Sequence, residues 1–393
     1  MMKEMYFSLL CLCFALSGCG SNDSSGNLGD TENLTIDTAT QTAGNTDTAT
    51  QTADDSDTGT GQPAVTGLWL HTSGNSILKS DGTPFRGRGA NIHDTRSCWA
   101  CAYGEPNVEE VKRRIDALVD DWGANFMRLC LENYGTAQDE WQVQYANMVE
   151  DEAYMQDIIE MVEHIGTKSG VYVLVSLWVE PTTTDIGWPT VATNAIWEVL
   201  AARLLAYPHV MFGLVNEPES NSSGAQDADV WEAMNSAVAA IRQVEAANGS
   251  PKHIIAVQGT RSWARHLGYY STHPITAGAG ENIAYETHSY LAPNEFEENW
   301  IGPSASLPVI IGEFGPSEWN GQPIMTTADT ITMMDEAEKR DISWLAWTFH
   351  MNCAPNLLVD NSGDSNCGVG MALEPTDWGT VIKNRLAAPW VTQ

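Results

Sequence analysis

Positive charge is scarce in this chain. Of 393 residues, 19 are Lys or Arg and 51 are Asp or Glu, a formal net charge of −32. Phosphate backbones and anionic lipid surfaces are held by cations, so this balance argues against nucleic acid or a bare membrane surface as partner and suits a neutral ligand. Long hydrophobic runs are missing too. The apolar stretch Tyr6 to Leu16 is too short for a membrane span, which takes about 20 residues. None of the nine histidines stands in a His-x-His pair, and no clustered acids accompany them, so no metal site is expected. From Gly20 to about Pro63, Lys and Arg are absent and large apolar residues nearly so.

A segment of that composition buries too little surface to offset its ordering entropy. With its near-repeat "DTATQTAGNTDTATQTADD", the stretch 20–63 reads as a disordered tether. Residues 1–19 read as an export signal, with Lys3, the short apolar run, then Leu16-Ser17-Gly18-Cys19. That ending resembles the bacterial lipobox, which implies cleavage before Cys19 and a lipid on its thiol. Gly20 rather than Asp follows, which points to the outer membrane or cell surface. Contact with membrane is expected only through this anchor.

Residues 64–393 are ample for one large core. Five cysteines remain there: Cys98, Cys101, Cys130, Cys353 and Cys367. In an exported chain the expected disulfides are Cys98–Cys101 and Cys353–Cys367, with Cys130 left over. The stretch "GLWLHTSGNSILKSDGTPF" reads as a small hairpin. Eight strand-like runs follow, at 86–91, 125–131, 171–179, 210–216, 253–259, 282–288, 308–314 and 343–349. Helical patterns alternate with them, clearest at 107–121, 150–167, 194–206, 227–248, 328–340 and 376–387. Alternation on this scale predicts a (β/α)8 TIM barrel of class α/β. A doubly wound sheet would want a Gly-rich turn opening a helix, and "RGRGAN" lacks the helix start.

Function in such barrels lives at the carboxyl ends of the strands. The polar residues there are Asn91 and His93, Arg128, Asn216 with Glu217, His288 with Tyr290, and Glu313; Trp178 and Trp347 join them. Glu217 follows "GLVN" and Glu313 follows "VIIG". A carboxylate at the end of a buried strand is costly unless paired or used. Pro218 restricts Glu217 to extended backbone, and Gly312 leaves room beside Glu313. Strands four and seven face each other across the mouth, so the two acids fit a glycosidic bond between them: one protonates the departing oxygen, the other attacks the anomeric carbon. Arg128 would keep one carboxylate ionised, Asn216 would bind a sugar 2-hydroxyl, Tyr290 would donate to the nucleophile, and His288 would tune the acid or bind the leaving sugar. Trp347 offers an apolar platform.

"GLVNEPE", "VIIGEFG", "RGRGANIHD", "NFMRLCL", "YETHSYL" and "WLAWTFH" together resemble glycoside hydrolase family 5, the cellulase family, from about Gly67 to Trp390. The resemblance implies Glu217 as general acid/base and Glu313 as nucleophile of a retaining double displacement. It also implies a site completed by Arg128, Asn216, His288, Tyr290 and Trp347, with no metal or cofactor. One departure stands out: many members end the third strand in an Asp-x-His pattern, where this chain has Ser176 and Trp178. That suggests a reshaped subsite.

Other chemistries lack their residues. A Schiff-base aldolase needs a lysine at a strand's carboxyl end, and Lys79, Lys112, Lys168, Lys252, Lys339 and Lys383 all fall elsewhere. The loop at 360–368 lacks the glycine of the EF-hand pattern and reads as turn-rich. Trp99, Trp188, Trp263, Trp300 and Trp319 on rim loops suggest an open cleft and endo-action by a monomer on a polysaccharide, β-1,4-glucan first and β-mannan second. A surface lipoprotein that binds polysaccharide without cutting it is the alternative.

Overall fold

Runs such as Phe126–Leu131 and Tyr172–Leu177 are apolar almost throughout because a parallel strand between helices and a barrel interior is buried on both faces. The computed structural model describes residues 69–95, 107–131, 151–177, 187–218, 220–360 and 368–392. A first hairpin pairs β1 (His71–Ser73) with β2 (Ser76–Leu78). Then come β3 (Arg88–His93), β4 (Phe126–Leu131), β5 (Tyr172–Leu177), β6 (Val210–Gly213), β7 (Ile255–Gln258), β8 (Ile283–His288) and β9 (Val309–Glu313). A second hairpin, β10 (Ser317–Trp319) with β11 (Gln322–Met325), precedes β12 (Ser343–Ala346). Strands β3 to β9 and β12 form one closed parallel barrel, β12 pairing with both β3 and β9. The expected (β/α)8 class is the fold observed.

The helices start where side chains satisfy their free N–H groups. Asn107 Oδ1 accepts from Glu110 at 2.9 Å ahead of Val108–Asp116, and Asp151 Oδ1 accepts from Tyr154 at 3.0 Å ahead of Glu152–Gly166. Helices Val191–Leu204, Asp227–Asn248, Thr327–Glu338 and Asp377–Ala387 follow close to the predicted spans.

Strand alternation sorts the core into two layers. Met127, Leu129, Val173 and Val175 point outward under the helices. Phe126, Leu174, Met211 and Leu345 point inward and fill the lower barrel, where Leu70, Ile77 and Phe85 of the first hairpin region join them. Phe85 meets Phe126 and Tyr172 edge-on at 5.4 and 4.9 Å. The hairpin therefore closes the amino end of the barrel and leaves the carboxyl end for polar groups.

Two details differ from expectation. The fourth barrel strand ends at Gly213 rather than 216, because Val215 N–H leaves the ladder for the side-chain oxygen of Gln258 at 3.2 Å. The hairpin β10–β11 is an element that the strand-like runs did not include. It turns on Asn320-Gly321, both at positive φ (50° and 70°), the conformation of a tight two-residue hairpin loop.

Candidate active site

The inward positions on the carboxyl halves of the strands are polar, and they engage one another. From β4, Arg128 Nη1 donates to Glu313 Oε1 at 2.6 Å and to Asn91 Oδ1 at 3.0 Å, while Nη2 donates to Asn216 Oδ1 at 2.9 Å. Asn91 in turn donates to the Gly312 carbonyl at 2.9 Å, tying β3 to β9 beside Glu313. Tyr290, two residues past β8, donates its hydroxyl to Glu313 Oε2 at 3.2 Å. Glu217 follows β6 and is half-buried; its Oε1 lies 2.7 Å from His288 Nδ1. An oxygen of Glu217, an oxygen of Glu313 and a ring nitrogen of His288 all lie within 4.8 Å of one another.

Electrostatics follow from burial and neighbours. Burial opposes charge on His288, but Glu313, Glu217 and Glu286 outweigh it and push its pKa up to about 9, so the ring is an imidazolium at neutral pH. Burial pushes the Glu313 carboxyl up, and the Glu217 charge adds to that; His288 and Arg128 pull it down. Burial prevails, and the Glu313 carboxyl sits above the ordinary carboxylate range.

A third carboxylate, Glu286, is fully buried one layer below. Its Oε1 lies 3.3 Å from Arg128 Nε and 3.3 Å from His288 Nε2, and its Oε2 accepts from Gln258 Nε2 at 2.7 Å. The Arg128 contact is an ion pair without hydrogen-bond alignment. Sequence reasoning passed over this residue. The available signal was its position in "YETH", two residues before His288 and hence on the same face of the strand. Gly312 is also reinterpreted: a Cβ there would sit 1.9 Å from Glu286 Oε1, so the glycine makes room for Glu286 rather than for Glu313.

Residues 78–352 match the family description "Cellulase (glycosyl hydrolase family 5)". The chain belongs to glycosyl hydrolase family 5. It is similar to Endoglucanase MaCel5A of Microbulbifer sp. (strain ALW1), 25% identical over an alignment of 339 residues that covers 80% of this chain and 58% of that protein. It is also similar to Endoglucanase C of Evansella cellulosilytica, 24% identical over 70% of this chain and 34% of that one. The chain thus spans between a third and three-fifths of these two relatives' length. Among solved structures, Cellulase Cel5C_n superposes with a TM-score of 0.64 at 22% identity, covering 84% of this chain and 96% of that one. The beta-glucanase SdGluc5_26A of Saccharophagus degradans, solved in complex with cellotetraose, gives 0.60 at 19% identity over 81% and 93%. These two share the fold.

In this family 5 barrel, Arg128, Asn216, Glu217, His288, Tyr290 and Glu313 form one connected network. His93 and Trp347 form a neighbouring pair, rings edge-on at 5.3 Å, with Thr348 Oγ1 3.2 Å from His93 Nε2. Trp347 is only 5% exposed, so the face it offers is small. Trp178, Cys19, Cys98, Cys101, Cys367 and Trp99 lie outside the described residues, as does most of the 360–368 loop. Cys353 is half-buried, and Cys130 is buried with its sulfur 3.6 Å from Arg128 Nη1. The rim tryptophans need one correction. Trp300 is fully buried against Phe296, because the turn that carries it folds inward. Trp188, Trp263 and Trp319 are half-buried, and Trp263 lies under the Arg265 guanidinium at 4.8 Å.

Proposed function

We propose that this chain is a retaining, endo-acting β-glycan hydrolase whose first substrate class is β-1,4-glucan. The observation that carries the mechanism is the short gap between the acids, with oxygens of Glu217 and Glu313 within 4.8 Å. Retention uses carboxyl groups about 5–5.5 Å apart, whereas inversion needs roughly 6.5–9.5 Å to admit a water. Glu313, held by Arg128 and Tyr290, attacks the anomeric carbon. Glu217 gives its proton to the departing glycosidic oxygen. The resulting ester on Glu313 is then opened by a water whose proton returns to Glu217. Asn216 has its amide oxygen occupied by Arg128, which leaves its NH2 to donate to the sugar 2-hydroxyl. The endoglucanase names of the relatives and the rim residues Trp188, Trp263 and Trp319 support a long β-glucan chain as ligand.

Glu217→Gln is the experiment that separates the roles. Loss of the proton donor is expected to cut kcat/KM, which reports the steps up to ester formation, by about 10²–10⁴ on soluble β-glucan. The loss should be far smaller on an aryl cellobioside whose leaving group departs without a proton. Equal losses on both substrates would overturn the assignment of Glu217. Run on β-glucan, β-mannan, xylan and xyloglucan, the same assay reads out the substrate class. The lipobox-like Leu16-Ser17-Gly18-Cys19 supports lipid anchoring at the outer membrane, which fractionation with a Cys19→Ser control would test.

A further inference from the structure

We infer that Glu286 is a positioning residue of this site: a permanently ionised carboxylate that holds His288 as an imidazolium between Glu217 and Glu313 through both halves of the reaction. The inference rests on the double displacement proposed above.

Among the described residues, every polar contact to Glu286 comes from a donor. Gln258 is decisive among them. Its side-chain oxygen is committed to the Val215 N–H at 3.2 Å, so its NH2 is the group that meets Glu286 Oε2 at 2.7 Å. Oε1 faces Arg128 Nε and His288 Nε2, each at 3.3 Å. The Gln258 NH2 and the Arg128 guanidinium cannot accept a carboxylic-acid proton, and neither can His288 while its ring is an imidazolium. Arg128, His288 and Gln258 also more than offset the burial that would raise the pKa of Glu286, holding it below the ordinary range. The ring therefore has a carboxylate on each nitrogen, Glu286 below and Glu217 above, with Nδ1 also 3.6 Å from Glu313 Oε1.

The chemistry asks for that arrangement. Before attack, Glu313 carries the negative charge and Glu217 the proton. Once the glycosyl ester forms, Glu313 is neutral and Glu217 is the anion. The pair holds one negative charge throughout, and the charge moves across the Nδ1–H of His288. With Arg128 and His288 positive and Glu286 negative, the buried group is neutral overall in both states. In a low-dielectric site that balance spares each state an uncompensated charge. Gly312 has no Cβ to displace Glu286, and Gln258 fixes Glu286 to the backbone that presents Glu217.

The charged groups around His288 are Glu286 on its own strand, Glu217 beyond β6 and Glu313 on β9; Arg128 of β4 and Arg265 beyond β7 lie beside those acids. The wild type should lose activity as pH rises through about 9, where the ring gives up its proton. In Glu286→Gln one of the anions holding that proton is gone. The alkaline limb of kcat should move down by about one pH unit or more, with KM nearly unchanged. Glu286→Asp, which keeps the charge, should restore most of the limb, and Gly312→Ala should reproduce the Gln variant by pushing the carboxylate aside. NMR titration of the His288 ring nitrogens reads the same shift without any turnover, so it remains decisive even if the proposed reaction is wrong. A limb and a ring titration unmoved in folded Glu286→Gln would overturn the inference, as would the same in Gly312→Ala if the Gln variant does not fold.

Discussion

Glu313→Gln is expected to lower kcat/KM on soluble β-glucan by about 10⁴-fold or more, some 5.5 kcal/mol of transition-state stabilisation. The amide has the carboxylate's shape but cannot form the glycosyl ester, so no covalent intermediate accumulates. The fold should survive, because Arg128 keeps Asn91, Asn216 and Glu286 as partners. Reducing-end release measured beside a circular-dichroism melt checks both statements. Activity within tenfold of wild type, from a folded variant, would remove Glu313 from the nucleophile's role and the double displacement with it.

Arg128→Met acts on the same site through charge. Arg128 is fully buried and forms ion pairs with both Glu286 and Glu313, at 3.3 and 2.6 Å. Removing one partner of a buried ion pair costs about 3–5 kcal/mol, because the other charge is left uncompensated. Glu286 and Glu313 then share the His288 imidazolium. The penalty should depend on pH with a definite sign. In the wild type Glu286 is held below the ordinary carboxylate range, so its contribution is present at neutral pH and fades on acidification. In the variant the surviving acids are expected to bind protons more tightly than in the unfolded chain, so the deficit is largest at high pH and shrinks as pH falls. Urea midpoints at pH 8 and pH 5 test this. A deficit below about 1 kcal/mol, or one equal at both pH values, would show that Arg128 does not organise the site's charge.

Much of this architecture is legible in the order of residues along the chain. Parallel barrel strands are buried on both faces, so runs such as "VYVLVSLWV" and "PVIIGEF" announce themselves without alternation. Caps such as Asn107 and Asp151 bound the helices to within a few residues. The second hairpin has its signal in Asn320-Gly321 and escapes a sequence reading because the flanking segments are short. Trp300 shows the opposite failure. An aromatic in a loop carries no mark of which way it faces, and packing against Phe296 decides it.

By itself the sequence determined the alternation of strands and helices, the acids that follow the fourth barrel strand and end the seventh, and the family whose motifs surround them. Those properties are local in the chain, set by burial periodicity, by Pro218, and by which side chain follows each apolar run. Only the tertiary structure decided that Glu217 and Glu313 stand within 4.8 Å, that one arginine serves Glu313, Glu286, Asn91 and Asn216, and that His288 lies between carboxylates. It alone showed that Gly312 is small for the sake of Glu286 on the neighbouring strand. The physical reason is distance along the chain. Arg128 and Glu313 are 185 residues apart, and His288 and Glu217 are 71. Barrel closure and strand register bring these charges together, and their proton affinities follow from that meeting.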